Sequence, residues 1–144
     1  MGLTNPGARF SFVISGQCPS KKNTYGIRRF GRGRATIGIG ASVEYEKWEK
    51  NAALELKIQQ VEGNVPMLRG PTWLSAKICW KWSGRGGRPD LSNLIQSVED
   101  ALQRAGVIEN DFQIESVDGS RRIFITTGEP RVELFVQEIT EGAS

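Results

Sequence analysis

The 144-residue sequence contains no histidine, only two cysteines and no long run of apolar residues. The absence of histidine excludes Ser-His-Asp and Cys-His nucleophile systems, histidine-based acid–base catalysis and most zinc hydrolase sites. Any catalysis therefore depends on carboxylates, lysine, tyrosine, serine or a bound hard cation. Cys18 and Cys79 lie far apart without CxxC spacing. This spacing predicts buried free thiols rather than a disulfide or a metal site.

The sequence also shows no membrane-spanning segment and no signal-peptide layout, so we expect a cytoplasmic protein without a membrane partner. With 38% hydrophobic and 24% charged residues, the composition is that of an ordinary globular protein. The length predicts one domain over residues 1–144.

Acidic residues are scarce in the first part of the chain. Residues 1–89 carry 15 Lys/Arg against 5 Asp/Glu, whereas residues 90–144 carry 4 against 11. This asymmetry suits a protein with one surface that faces a polyanion.

Apolar periodicity predicts the element order β, β, α, β, α, β, β. The predicted strands are residues 9–15, 35–39, 74–81, 113–125 (with a turn at Asp118-Gly119) and 131–139, and the predicted helices are residues 43–61, capped by Ser42, and 91–105, ended by Gly106. Residues 16–33 are predicted as a loop. This order is typical of an α+β two-layer domain, in which a mixed sheet of about five strands carries two helices.

A basic glycine-rich loop, Ser83–Pro89, delivers Asp90 to the start of the second helix. Asp90 would ligate Mg²⁺ or Mn²⁺, because hard divalent ions prefer carboxylate oxygens. Arg85 and Arg88 would hold neighbouring phosphates. The alternative is that Asp90 caps the helix, a position that favours aspartate, and the cap is the simpler interpretation of this feature alone.

Asp111 is the second candidate acid and follows the same helix. Fifteen helical residues span about 22 Å, whereas the five steps from Gly106 to Asp111 return at most roughly 17 Å. Asp111 can therefore approach Asp90 of its own chain only if residues 106–111 are extended and laterally offset from the helix. The other arrangement is a site shared between the two chains of a dimer. Both arrangements are open at this point.

Cations also cluster before the first helix, at Lys21, Lys22, Arg28, Arg29, Arg32 and Arg34, with Tyr25 and Phe30 between them. No acid interrupts this segment, which favours contact with a nucleic-acid backbone over a solvated loop. Trp73, Trp80 and Trp82 lie on or directly beside one predicted strand. Packing in the core or a dimer interface is a better interpretation of them than a base-stacking platform.

The run Arg88–Gln96, followed by Glu99–Leu102, Ala105–Val107 and Asp111–Gln113, resembles the RusA family of Holliday junction resolvases. The hallmarks of that family are a D-x-D-N-L-x-K motif, a later D-A-L and a D-x-Q after the helix. The segment Pro19–Asn23 also resembles the family's proline-serine-asparagine loop. The resemblance implies a small homodimer, of a kind common in phages, that cuts four-way DNA junctions with Mg²⁺ or Mn²⁺ and no small-molecule cofactor.

By position, the resemblance implies that Asp90 and Asp111 are the first and third catalytic aspartates, with Ser92 at the position of the second. Gln96 stands where a catalytic lysine is usual. Loss of one carboxylate should weaken divalent-metal binding, although a serine hydroxyl can still coordinate a metal. Glu109 is the acid best placed to compensate. The cations expected to grip DNA are Lys21, Lys22, Arg28, Arg29, Arg85 and Arg88.

The leading hypothesis is therefore a dimeric endodeoxyribonuclease that resolves branched DNA by symmetric phosphodiester hydrolysis. The alternative is a catalytically weakened or non-catalytic protein that binds branched DNA on the same fold, because Ser92 and Gln96 replace the usual aspartate and lysine. A different nuclease on the same fold is a third interpretation.

Overall fold

A five-stranded mixed sheet dominates the chain, whose computed structural model describes residues 7–20, 28–30, 34–36 and 43–139. The elements in chain order are β1 (Arg9–Ser15), β2 (Arg28–Phe30), β3 (Arg34–Thr36), α1 (Val43–Glu62), β4 (Thr72–Lys81), α2 (Leu91–Ala105), a 3-10 turn (Asp111–Gln113), β5 (Ile114–Ser116), β6 (Arg121–Ile125) and β7 (Arg131–Glu138). β2 and β3 form a separate antiparallel hairpin. The α+β class with two helices on a mixed sheet is confirmed.

β4 is the central strand of the sheet. One edge of β4 pairs antiparallel with β7, which pairs antiparallel with β1. The other edge pairs in parallel with β5 near Trp73 and with β6 from Lys77 to Lys81. Because β4 is parallel to both β5 and β6, the intervening helix α2 has to run back from the end of β4 towards its beginning.

One continuous apolar core lies between the sheet and the two helices. Alternate residues of β1, β4 and β7 face it, as strand geometry requires. The largest contributors include Phe12, Ile14, Leu74, Ile78 and Leu134 from the strands, Trp48 and Leu56 from α1, and Leu94, Val98 and Leu102 from α2. The apolar periodicity that predicts β4 and α2 thus matches the residues that these elements bury.

Side chains of α1 also satisfy the free edge of β1. The Gln59 side chain accepts the Val13 N–H at 2.8 Å and donates to the Val13 carbonyl at 2.7 Å. The Glu55 carboxylate accepts both the N–H and the hydroxyl of Ser15. Unpaired backbone groups of an edge strand can pair with a strand of another chain. The side chains of α1 occupy some of these groups in β1 and so hinder such pairing.

Most of the predicted boundaries agree with the structure. β1 and α2 have the predicted ends, α1 is one residue longer than predicted, and Gly106 ends α2 in the left-handed region at φ 81°. Residues 113–125 form two short strands separated by the turn predicted at Asp118-Gly119, and β2 lies in the segment predicted as a loop. Strands of three residues are too short to show an alternating pattern. The predicted cap Ser42 lies outside the described residues.

The two cysteines are free and buried, as predicted. Burial raises the pKa of the Cys18 thiol well above its ordinary value. Of the three tryptophans, Trp80 packs against the core and donates to the Cys18 carbonyl at 2.9 Å, while Trp73 donates to the Asp118 carbonyl at 3.0 Å. In the described part of the chain, neither helix has the length and apolarity needed to cross a membrane.

Candidate active site

Asp90 occupies the N-cap position of α2, yet its carboxylate does not act as a cap. Its backbone is extended at φ −72° and ψ 146°, and its carbonyl accepts the Leu94 N–H at 3.2 Å. The side chain makes no capping hydrogen bond and is exposed to solvent. The carboxylate is therefore available for a ligand, at a helix end whose dipole favours negative charge.

Every residue of the loop from Ser83 to Arg88 is exposed. Gly84 and Gly86 have φ of 89° and 80°, a region that residues with a Cβ rarely adopt. At the end of the loop, the Arg88 guanidinium lies over the rings of Trp82 and Phe124, 5.1 and 5.3 Å from their centroids. The two rings thus orient Arg88, whereas the contacts of Arg85 with Ser83 involve only its backbone.

Arg122 on β6 is a member of this site that sequence reasoning missed. Its Nη1 donates to the Pro89 carbonyl at 2.8 Å, and its guanidinium lies 5.1 Å from the centroid of Phe124. Arg122 therefore holds the residue that immediately precedes Asp90. The sequence shows only an Arg-Arg pair at the start of a short strand. The register of β6 on β4, which pairs Arg122 with Ile78, is what brings it to the loop.

Asp111 lies on a 3-10 turn that side chains hold in place. The Asn110 side chain accepts the Phe112 N–H at 2.8 Å, and Gln113 completes a capping box. The Asp111 N–H donates to Gln103 Oε1 at 2.9 Å. The Asp111 side chain is exposed, and its carboxylate has no hydrogen-bond partner among the described residues.

Gln113 fastens this turn to the segment before β4. Its Oε1 accepts the N–H groups of Glu109 and Asn110 at 2.9 and 3.0 Å. Its Nε2 lies 2.8 to 3.0 Å from three acceptors, the carbonyls of Leu68 and Gly70 and the Thr72 hydroxyl. One amide side chain therefore fixes the position of the turn that carries Asp111 relative to the beginning of β4.

The structure does not bring Asp90 and Asp111 together within one chain. Asp111 is bonded to Gln103, which lies 13 residues after Asp90 on α2, or about 20 Å along the helix axis. The Gln103 side chain has only three carbon–carbon bonds of about 1.5 Å, so it is too short to bring Asp111 back along the helix to Asp90. Consistently, residues 7–20 and 43–139 contain no group of three His, Cys, Asp or Glu side chains able to hold a metal ion.

Ser92 and Gln96 lie on the exposed face of α2 that leads from Asp90 towards Asp111. Both are exposed, as is Gln103, and spacings of four and seven residues keep the three on one side of the helix. The Ser92 hydroxyl has no hydrogen-bond partner in the described part of the chain. A polar face thus joins the two helix ends that carry the candidate aspartates.

The other acids of this region have partners in the fold. Glu109 pairs with Arg69 at 3.0 Å and lies on the Asp111 side of its own chain, and its compensation for Ser92 stays a prediction. Asp100 accepts the Tyr45 hydroxyl at 2.8 Å. Burial, followed by this hydrogen bond and the charge of Asp100, raises the pKa of Tyr45. Asp100 therefore joins α1 to α2.

Of the cations predicted to contact DNA, only Arg85 and Arg88 have described side chains. Arg28 and Arg29 lie on β2, paired with Thr36 and Ala35 of β3. Lys21 and Lys22 lie outside the described residues.

We expect Gln113→Ala to lower the free energy of unfolding by about 2–4 kcal/mol, because partly buried donors and acceptors lose their partner. Chemical denaturation measures this, and amide exchange at residues 109–112 should accelerate. The matched control is Gln96→Ala, which should change stability by less than about 0.5 kcal/mol. Equal stability of the two variants would mean that Gln113 does not hold the turn.

The comparisons with known proteins identify the family of the chain. A family model described as "Endodeoxyribonuclease RusA" matches residues 21–137. The match begins before β2 and ends one residue before the end of β7. A search of curated proteins finds no match. Because the family match extends over most of the sequence, the chain belongs to the RusA family of endodeoxyribonucleases.

Proposed function

We propose that this protein is a divalent-metal-dependent endonuclease that resolves four-way junctions and related branched DNA as a homodimer. The observation that carries the proposal is the state of Asp90. The Asp90 carboxylate is exposed and makes no capping hydrogen bond. Asp90 also follows a loop with two arginines and occupies the position of the first aspartate in the family motif. A residue that only capped α2 would direct its carboxylate to the helix N–H groups.

The donor set at the start of α2 suits Mg²⁺, with Mn²⁺ as an alternative. Asp90 offers a carboxylate and Ser92 a hydroxyl, both hard oxygen ligands of the kind these ions prefer. When bound, a divalent ion polarises the phosphoryl oxygen and lowers the pKa of an attacking water. One carboxylate is a weak site for such an ion, so the proposal needs a second acid close to Asp90.

We propose that Asp111 of the partner subunit is this second acid. Asp90 and Asp111 lie at opposite ends of α2, so a two-fold axis near the middle of that helix would bring each Asp90 to Asp111 of the partner subunit. The exposed face with Ser92, Gln96 and Gln103 lies between the two helix ends and is the side of α2 that would face the partner subunit. A dimer of this kind has two equivalent sites, which suits paired nicks in two strands.

Arg88 and Arg122 would hold the phosphodiester next to Asp90. Both guanidiniums lie against Phe124, and Arg122 uses one of its donors on the Pro89 carbonyl. The remaining donors are free to bind phosphate oxygens, for which a planar guanidinium is well shaped. The positive charge of these two arginines would replace that of the family's catalytic lysine, whose position is occupied here by the neutral Gln96. Arg85, Lys21, Lys22, Arg28 and Arg29 would contact the DNA backbone farther away.

The second candidate function is binding of branched DNA without cleavage. The observation that favours it is the absence of a three-acid cluster in residues 7–20 and 43–139, together with Ser92 at a metal-ligand position. DNA contacts by cations would survive the loss of the metal site, because they depend on phosphate charge alone.

We expect the purified protein to nick a synthetic immobile four-way junction symmetrically with Mg²⁺ or Mn²⁺, and not with EDTA. Asp90→Asn should slow nicking by about 100-fold or more while leaving junction binding largely intact. Gel analysis of end-labelled strands measures this, with a linear duplex of the same sequence as control. Tight junction binding without nicks under either metal would support the second function instead.

Mixing two inactive variants tests whether the site is shared. Asp90→Asn and Asp111→Asn are each expected to be inactive, but a mixed dimer keeps one intact site if the acids come from different chains. Random pairing of co-expressed subunits then restores about a quarter of the wild-type sites. If each site used only one chain, every site in the mixture would lack an acid, and the mixture would stay inactive.

We expect Arg122→Ala to lower the nicking rate by roughly 10- to 100-fold and to raise the Mg²⁺ concentration at half-maximal rate. The substitution removes the hydrogen bond to Pro89, which precedes Asp90, and it removes a cation from the phosphate. Arg122→Lys should rescue only part of this, since an ammonium lacks the planar guanidinium that lies over Phe124 while it donates to the Pro89 carbonyl. The control is Arg121→Ala, whose side chain lies beside Lys77 on the other face of the sheet. Equal losses at both arginines would indicate a general effect of charge.

A further inference from the structure

Phe112 is the most exposed of the large apolar side chains in the described residues, with 87% of its surface accessible. It lies directly after Asp111, at one end of the proposed site. An exposed phenylalanine contributes little to the core of its own chain, so packing inside this subunit does not explain it.

The backbone under Phe112 is fixed. Its N–H donates to the Asn110 side chain at 2.8 Å, and the residues on either side are held by Gln103 and by the network of Gln113. The ring is therefore presented on a braced turn and not on a loose loop. Successive residues of a 3-10 turn point about 120° apart, so the ring flanks the Asp111 carboxylate without covering it.

The surroundings of Phe112 differ from an apolar docking surface. Glu109, Asn110 and Asp111 are all exposed and polar, and Glu109 is paired with Arg69. A protein interface is expected to have a continuous apolar centre, whereas a nucleobase needs one aromatic face in a polar setting.

We propose that Phe112 binds an unstacked nucleobase of the DNA substrate at the branch point. The inference rests on the proposed function and adds the group that distinguishes a branch from plain duplex. In duplex DNA both faces of each base are covered by its neighbours, whereas the base pairs at the arm ends of an open branch each have one uncovered face. Stacking on an aromatic ring accepts any base, because every base has a π face, so the contact selects shape rather than sequence.

The test places the fluorescent base 2-aminopurine at each branch-point position of a four-way junction. The protein carries Asp90→Asn, so that it binds the junction without cutting it. Binding should change the fluorescence at one or two positions, and Phe112→Ala should abolish this change and weaken junction affinity by roughly 5- to 100-fold. Affinity for linear duplex should change by less than about twofold. Phe112→Trp should retain both properties.

Two controls keep the outcomes distinct. Phe112→Leu keeps an apolar side chain without a π face and should behave like Phe112→Ala, and Leu54→Ala removes another exposed apolar side chain, on α1, and should behave like the parent. Sedimentation measures the oligomeric state of every variant. If Phe112→Ala separates the dimer, or leaves junction affinity and fluorescence unchanged, the inference is overturned although the nuclease proposal stands. If the parent protein does not prefer the junction to duplex, the proposed function itself is refuted.

Discussion

The parallel pairing of β4 with β5 and β6 is the constraint on which the rest of the site depends. Two parallel neighbours in one sheet need a crossover, and here α2 supplies it by running back along β4. The helix covers about 22 Å of the return along β4, so its two ends are far apart. Asp90 precedes one end, and Asp111 is bonded beside the other. The same hydrogen-bond ladder that builds the sheet therefore divides the candidate acids into two half-sites.

Each half-site has a fixed backbone and a free carboxylate. At Asp90 the support comes from Arg122, which holds Pro89 and stacks on Phe124. At Asp111 it comes from Gln103 and Gln113, which bind the N–H groups of the turn. In both places neutral backbone groups bind the supporting side chains, and the acid is left exposed to solvent. A site that positions its acids without occupying them is ready for a ligand of opposite charge.

The departures from the family motif become easier to interpret with this geometry. Ser92 removes one negative charge from the Asp90 half-site, and Gln96 removes one positive charge from the same exposed face of α2. Arg88 and Arg122 lie at the entrance of that half-site, with their guanidiniums against Phe124. The local balance of charge is thus set by side chains from the loop and from β6. In the proposed function, a metal site reduced in this way would depend all the more on the partner subunit, because one aspartate alone binds a divalent ion weakly.

Local pattern in the sequence determined much of this protein: the ends of β1 and α2, the apolar face of β4, the free buried cysteines, and Asp90 and Asp111 as candidates by their motif. These features depend on neighbours within a few residues, where side-chain periodicity and capping preferences act. Only the tertiary structure decided that Asp90 does not cap its helix, that Glu109 pairs with Arg69, and that Arg122 and Gln113 support the site. The contacts of Arg122, Glu109 and Gln113 join residues about 30 to 45 positions apart. The Arg122 contact exists because of strand register, since a one-residue slip would have turned every side chain of β6, including Arg122, to the other face of the sheet.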